Sequence, residues 1–432
     1  MKLGTDEHTR LELSSHPTVL VEPPTLTMDP IDVPYLYEAY AKESEIAENI
    51  SESILYRLYN LFVTSEAREI RVHGYVNLQS LELESFRQTS DSTLINGIID
   101  LIELKDKHNP ETDFSMIHDI EQYLPTFNIP IMETYTEDRD QQQGIIVPDS
   151  ETSDKFTLTT FLDQLTQLLP YYSDSMELII GDIKTRSVQS IPRQQSVIES
   201  AKFQVFYYHQ FLTILATSGN SYRSLVDSWQ LRNVDLDVPI NYKTMFMLLK
   251  KYGPLLFDDM IKLSKGVSLG MDQFDEFIIN NPTTKSTVVY DPSECFAEHK
   301  SSHPLLRPWV NPPTLRYLLA RCSQMYQVLG PFISPKCKVE YRNGHTHKVI
   351  ATNEYEFDSN EFKAQIHKAS SFWNGSQNPK INQDISKCKY CEFKAHCPVP
   401  HHQVHNDTGD GIQPPPKKLG DLVYHEFLHV QM

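Results

Sequence analysis

Two apolar runs, each carrying one aspartate, restrict this chain more than any other feature. "TLINGIIDLIEL" (93–104) and "SMELIIGDIKTR" (175–186) are rich in isoleucine and leucine and suit strands buried in a sheet. Asp100 and Asp182 stand at the ends of the apolar stretches. Lys184 follows Asp182 by two positions, so a strand projects both side chains from one face. If the strands are neighbours, two carboxylates and one ammonium converge at one edge of a sheet.

That arrangement suits phosphodiester hydrolysis. Carboxylates hold one or two Mg²⁺ ions, which polarise the phosphate and make hydroxide available near neutrality. The lysine orients the attacking water or neutralises charge on the phosphate. A bare acid-x-Lys triplet is weak evidence, since others occur at 103–105, 298–300, 361–363 and 392–394 and read as solvated surface pairs. The triplet at 182–184 differs because "LII" precedes it and an apolar helix follows.

The flanking segments frame these strands. Residues 32–64 carry apolar residues near 3.6 spacing and read as helix, and 67–77 alternate as a strand. Residues 106–175 are rich in Asp, Glu, Gln, Thr and Pro and read as an insertion, with one helix near 157–169. A helix is expected over 196–216, with further helices to about residue 270. A hairpin is expected over 337–357 around Asn343-Gly344, then a helix over 359–373. One nuclease domain is expected over 1–400, and "HHQVHNDTGDGIQPPPKK" opens a linker-like tail, 401–432.

The 196–216 helix places Gln204 and Tyr208 one turn apart on one face. "GIID", then "GDIKTR", then "QVFYY" resembles the RecB-like branch of the PD-(D/E)XK nucleases. With "IPRQQ", "SSFWNGSQNP" and "KCKYCEFKAHC", the chain looks like the exonuclease V family from about residue 2 to 398. That resemblance implies an α/β fold of the restriction-endonuclease-like kind, a mixed sheet flanked by helices. It implies that Asp100, Asp182, the Ile183 carbonyl and His8 ligate metal, that Lys184 is catalytic, and that Gln204 and Tyr208 position DNA. Arg186 and Arg193, with Lys202, form the best local basic patch for phosphates, with a solvated surface the alternative for each alone. Phe203, Phe206 and Tyr207 read mainly as core, with stacking on bases the alternative.

The same family implies a 4Fe-4S cluster held by Cys388, Cys391 and Cys397 with one upstream cysteine. No cysteine precedes Cys295 here, so the fourth ligand is missing. The chain therefore reads as one lacking its natural N-terminus, together with the presequence expected of a mitochondrial fungal member. Cys295, Cys322 and Cys337 read as buried small residues, and His401 would give a Cys₃His zinc site instead. Either site would have a structural role, tying distant segments together.

A net charge of −18 argues against a general nucleic-acid coat protein, but local patches still bind phosphate. No apolar run approaches the roughly 20 residues of a membrane span. The reading is a Mg²⁺-dependent single-stranded DNA exonuclease, expected to be monomeric and, by resemblance, to cut 5′ to 3′ in mitochondrial DNA repair or replication. The alternative is a catalytically idle, zinc-stabilised DNA-binding module in a repair complex. No Gly-rich NTPase loop "GxxxxGK[ST]" occurs, so any helicase would be a separate partner, as would a single-strand-binding protein.

Overall fold

The computed structural model describes residues 7–11, 41–109, 157–280, 290–291, 305 and 307–376. A short helix, 7–11 (α1), comes first. One long helical stretch follows: Ala41–Ile50 (α2), a π-helical turn Ser51–Tyr56, and Arg57–Thr64 (α3). Its apolar face buries Ile50, Ile54, Leu58, Leu61 and Phe62. Ser65, in the left-handed conformation at φ 60°, ends it.

Among the described residues, eight strands form two sheets. Glu66–Ala67 (β1), Ile70–Asn77 (β2), Glu82–Glu84 (β3), Ser92–Ile99 (β4) and Leu101–Asp106 (β5) come before Leu158–Tyr172 (α4). Met176–Arg186 (β6) leads into Gln195–Ala216 (α5), Ser221–Gln230 (α6), Tyr242–Lys265 (α7), Asp272–Asn280 (α8) and Leu315–Gln327 (α9). Ile333–Asn343 (β7), Val349–Glu356 (β8) and Ser359–Trp373 (α10) complete the order. The larger sheet runs β1-β5-β6-β7-β8 and the smaller β3-β2-β4.

β6 is the central strand, antiparallel to β5 and parallel to β7. Strands with neighbours on both sides and covered faces read as near-continuous apolar runs, as Met176 to Ile183 does. The parallel step from β6 to β7 needs a long crossover, which here carries α5 to α9. The hairpin at Asn343 forms as expected, its side-chain oxygen accepting from the His345 and Thr346 amides.

The run 93–104, expected as one strand, is two. β4 ends at Ile99, paired with Ile70, and β5 starts at Leu101, paired with Gly181. The two halves have different partners, and Asp100 is the one residue between the sheets. The helix expected near 157–169 runs Leu158–Tyr172 and is capped reciprocally by Thr157 and Thr160. Its Phe161 ring lies 5.1 Å from Tyr59 and 5.9 Å from Phe62, which makes it core rather than surface insertion. Residues 110–156 of that insertion lie outside the described residues.

The chain divides into two compact units, Met1–Asn77 with Leu83–Phe362, and Leu78–Glu82 with Lys363–Met432. In the second, the Asn374 amide donates to the Leu78 carbonyl at 3.1 Å. No helix among the described residues is long and apolar enough to cross a membrane.

Candidate active site

The site is assembled where β4, β5 and β6 meet. On β6, alternation puts Asp182 and Lys184 on the face toward α5. Asp182 is fully buried, and the Lys184 ammonium donates to its Oδ1 at 3.1 Å. The ammonium also lies 2.9 Å from Oδ2, but poorly aligned, so that buried oxygen has no hydrogen bond. Lys184 further donates to Gln204 Oε1 at 2.8 Å, and Gln204 Nε2 donates to the Tyr208 hydroxyl at 2.6 Å. One line of contacts thus runs Tyr208–Gln204–Lys184–Asp182, with the two α5 residues one helical turn apart.

Asp100 enters from the break between the sheets. Its Oδ2 accepts the Ile183 amide at 2.8 Å. Burial first, then repulsion by the Asp182 carboxylate, pushes Asp100 up to about 7, against the opposing pull of the Ile183 amide and His8. His8 reaches the same place from α1, its Nε2 3.9 Å from Asp100 Oδ2. Its Nδ1 lies 3.1 Å from Glu69 Oε1, and that contact raises the imidazole pKa.

α1 is anchored on both sides of His8. Leu11 packs with Leu101 and Ile183 in a buried cluster. Glu7, fully buried, accepts from Arg10 Nη2 at 2.9 Å and pairs with His347, with Arg342 3.9 Å away. Burial alone would raise the Glu7 pKa, yet the hydrogen bonds from Arg10 and His347 hold it below the ordinary value.

The structure brings together seven residues singled out from sequence: His8, Asp100, Asp182, Ile183, Lys184, Gln204 and Tyr208. Arg186 lies at the end of β6 and donates to the Ser190 carbonyl at 3.3 Å, and Arg193 is exposed just before α5. Lys202 is not free for phosphate, as its ammonium lies 2.7 and 2.6 Å from the two carboxylate oxygens of Glu361. Phe206 is fully buried against Phe357, while Tyr207 packs on Phe211 and Phe362, so this part of α5 is core. Cys388, Cys391 and Cys397 lie outside the described residues, as do Cys295 and His401. Cys322 and Cys337 are free and buried, as expected, and burial pushes the Cys337 thiol up to about 12.

Glu69 escaped the sequence reading because it belongs to no motif. Its signal is positional: Ile70 pairs with Ile99, so Glu69 and Asp100 are the next residues on two paired strands. Finding it requires knowing that pairing.

Gly97 decides how closely α5 can approach. A Cβ there would meet the Tyr208 ring at 2.7 Å. Gly97→Ala is expected to displace that ring and, through Gln204, the Lys184 ammonium. A misplacement of this kind costs on the order of 10²-fold in turnover. Steady-state cleavage, with thermal unfolding as the folding control, checks it; unchanged turnover would remove Tyr208 from the positioning line.

A fully buried carboxylate on β6, a second at the break between β4 and β5 and an imidazole beside them are the groups that a metal-dependent phosphodiesterase uses. A family model described as "Exonuclease V - a 5' deoxyribonuclease" matches residues 1–398. The chain is 32% identical over 463 residues to "Exonuclease V, mitochondrial" of Candida tropicalis, covering 98% of this chain and 73% of that protein. The protein of the same name from Debaryomyces hansenii is 31% identical, with 95% and 71% covered. That from Kluyveromyces lactis is 26% identical, with 92% and 69% covered. This chain belongs to the exonuclease V family and is a deoxyribonuclease.

The family implies a metal cofactor, and the residues fit one. Asp182 Oδ2 is buried with no hydrogen bond beyond its ion pair to Lys184, and His8 Nε2 lies 3.9 Å from Asp100 Oδ2, near enough for both to hold one ion. The oxygen-rich set suits a hard divalent cation. A pH dependence follows from the raised Asp100 value. In metal-free protein the folded state keeps a proton that an unfolded aspartate, near 3.8, has released, so this group costs stability progressively as pH rises toward 7. A cation takes the proton's place. The rise in melting temperature on adding Mn²⁺ should therefore be small well below pH 7 and larger above it; a pH-independent rise would contradict the assignment.

Proposed function

We propose that the protein is a Mg²⁺-dependent exonuclease that hydrolyses single-stranded DNA from the 5′ end, on a restriction-endonuclease-like PD-(D/E)XK fold. The observation that carries this reading is the contact line Tyr208–Gln204–Lys184–Asp182 beside Asp100. Asp100, Asp182, the Ile183 carbonyl and His8 would hold the cation. When bound, the cation polarises the phosphodiester and favours deprotonation of water.

The chain's own groups do the rest. The Lys184 ammonium, fixed between Asp182 and Gln204, offers its remaining hydrogen to charge developing on the phosphate. Gln204 holds that ammonium on station, and its own orientation is fixed by the Tyr208 hydroxyl. Burial raises the Tyr208 pKa, so the phenol stays protonated. Arg186 and Arg193 would take phosphates along the strand.

Cys388, Cys391 and Cys397 are assigned to a structural 4Fe-4S cluster. Cys322 and Cys337 are buried in the core, and burial raises both thiols, which disfavours either as the fourth ligand. Work on mitochondrial DNA follows the names of the relatives.

The test is a single-stranded oligonucleotide labelled at either end. With Mg²⁺, a 5′ label should appear at once in short products while a 3′ label shortens gradually, and EDTA should stop both. Equal cutting of circular single strands would replace the exonuclease reading with an endonuclease.

A further inference from the structure

We propose that Glu69 is a positioning residue: its carboxylate holds the Nδ1–H of His8, so that Nε2 presents its lone pair on the side of Asp100, where a cation would bind. The inference rests on the metal-site reading above and extends it to a residue outside every motif.

The geometry makes the argument. A neutral imidazole has one N–H and one lone pair, and a carboxylate can only accept. Glu69 Oε1 lies 3.1 Å from Nδ1, and Asp100 Oδ2 lies 3.9 Å from Nε2, too far for a hydrogen bond but near enough to share a ligand. The ring therefore bridges two carboxylates, one in bonding contact and one across a gap, with the Ile183 carbonyl facing it as well. Carboxylate-to-imidazole contacts of this kind fix the tautomer and orientation of metal-binding histidines.

Glu69 is held in place against its own backbone preference. Its φ is +55°, in the left-handed region that side chains with a Cβ avoid. Arg57 Nη1, from α3, donates to the carbonyls of both Arg68 and Glu69 at 3.0 Å. That clamp sits where β2 begins, one residue before the Ile70–Ile99 pair. The strand alternation is broken at Glu69 and again at Asp100, at the ends of two paired strands, and both carboxylates come to His8. A structural surface glutamate needs neither the strained backbone nor the clamp.

The experiment compares wild type, Glu69→Gln and Glu69→Ala. A glutamine keeps an oxygen that can accept from Nδ1–H but is a poor substitute for a ligating carboxylate. In metal-free protein at alkaline pH, imidazole ¹⁵N correlation spectra, with His8→Gln for assignment, should show the Nδ1–H tautomer in wild type and Glu69→Gln. Glu69→Ala should lose that preference. Calorimetric Mn²⁺ affinity should fall on the order of 10–100-fold in Glu69→Ala and stay near wild type in Glu69→Gln.

Equal weakening in both variants would make Glu69 a direct ligand and overturn the proposal, as would an unchanged tautomer in Glu69→Ala. If the alanine variant fails to fold, the isosteric glutamine variant still decides between the two roles. Asp182→Ala separates the layers of the argument. If it binds Mn²⁺ as wild type does, the metal-site reading itself fails; if it loses binding while Glu69→Ala keeps it, this inference alone fails.

Discussion

Lys184→Met should lower the turnover of single-stranded DNA on the order of 10²–10³-fold and leave KM nearly unchanged. The ammonium is one cation among those that meet a DNA strand, so its removal costs little in ground-state binding. Its position matters more than its charge: it is fixed by Asp182 Oδ1 at 3.1 Å and Gln204 Oε1 at 2.8 Å. Groups aimed beforehand at developing charge need no reorganisation when it develops. Gln204→Ala should cost less than Lys184→Met, because the ammonium survives without its guide. The double variant should resemble Lys184→Met alone, since residues acting as a unit are not additive. A loss below about tenfold for Lys184→Met would mean that the lysine is only a structural partner of Asp182.

Asp259→Ala should destabilise the protein by about 3–5 kcal/mol, measured by denaturant unfolding. Arg321, on α9, is 1% exposed, and Asp259, on α7, is equally hidden. The guanidinium donates from Nε to Asp259 Oδ2 at 2.7 Å and also pairs with Oδ1, while the Tyr317 hydroxyl donates to Oδ2 at 2.7 Å. Arg321 also reaches Gln324 at 2.7 Å and Thr159 of α4 at 2.9 Å. Removing the carboxylate strands a buried cation, and that uncompensated charge is the source of the loss. An apolar pair, Asp259→Leu with Arg321→Met, should recover much of it. Arg223→Ala, which breaks a pair 3.9 Å apart whose arginine is 59% exposed, should cost less than about 1 kcal/mol. A small loss for Asp259→Ala would show that water reaches Arg321 in the variant.

The difference between what could and could not be read in advance is one of range. Asp182 with Lys184, and Gln204 with Tyr208, share faces because strands repeat every two residues and helices every 3.6, so those pairs were legible as local patterns. The same holds for β6, α5, the hairpin at Asn343 and α10. The triplet at 182–184 stood out from its surface counterparts because an apolar run precedes it. Lys202 looked available for phosphate because its partner, Glu361, is 159 positions away.

Local periodicity therefore set which residues form strands and helices, and it placed the acid-x-Lys pair on one face. Long-range pairing settled the rest. A run of uniform apolar character carries no mark of the point where it changes partners, so the break at Asp100 appears only once Ile99 meets Ile70 and Leu101 meets Gly181. His8 joins the site because Glu7 and Leu11 find partners at Arg342, His347, Leu101 and Ile183. Glu69 joins it through strand register and the Arg57 clamp. These contacts form between residues tens to hundreds of positions apart, and their energy comes from burial and charge pairing that no short window of sequence contains.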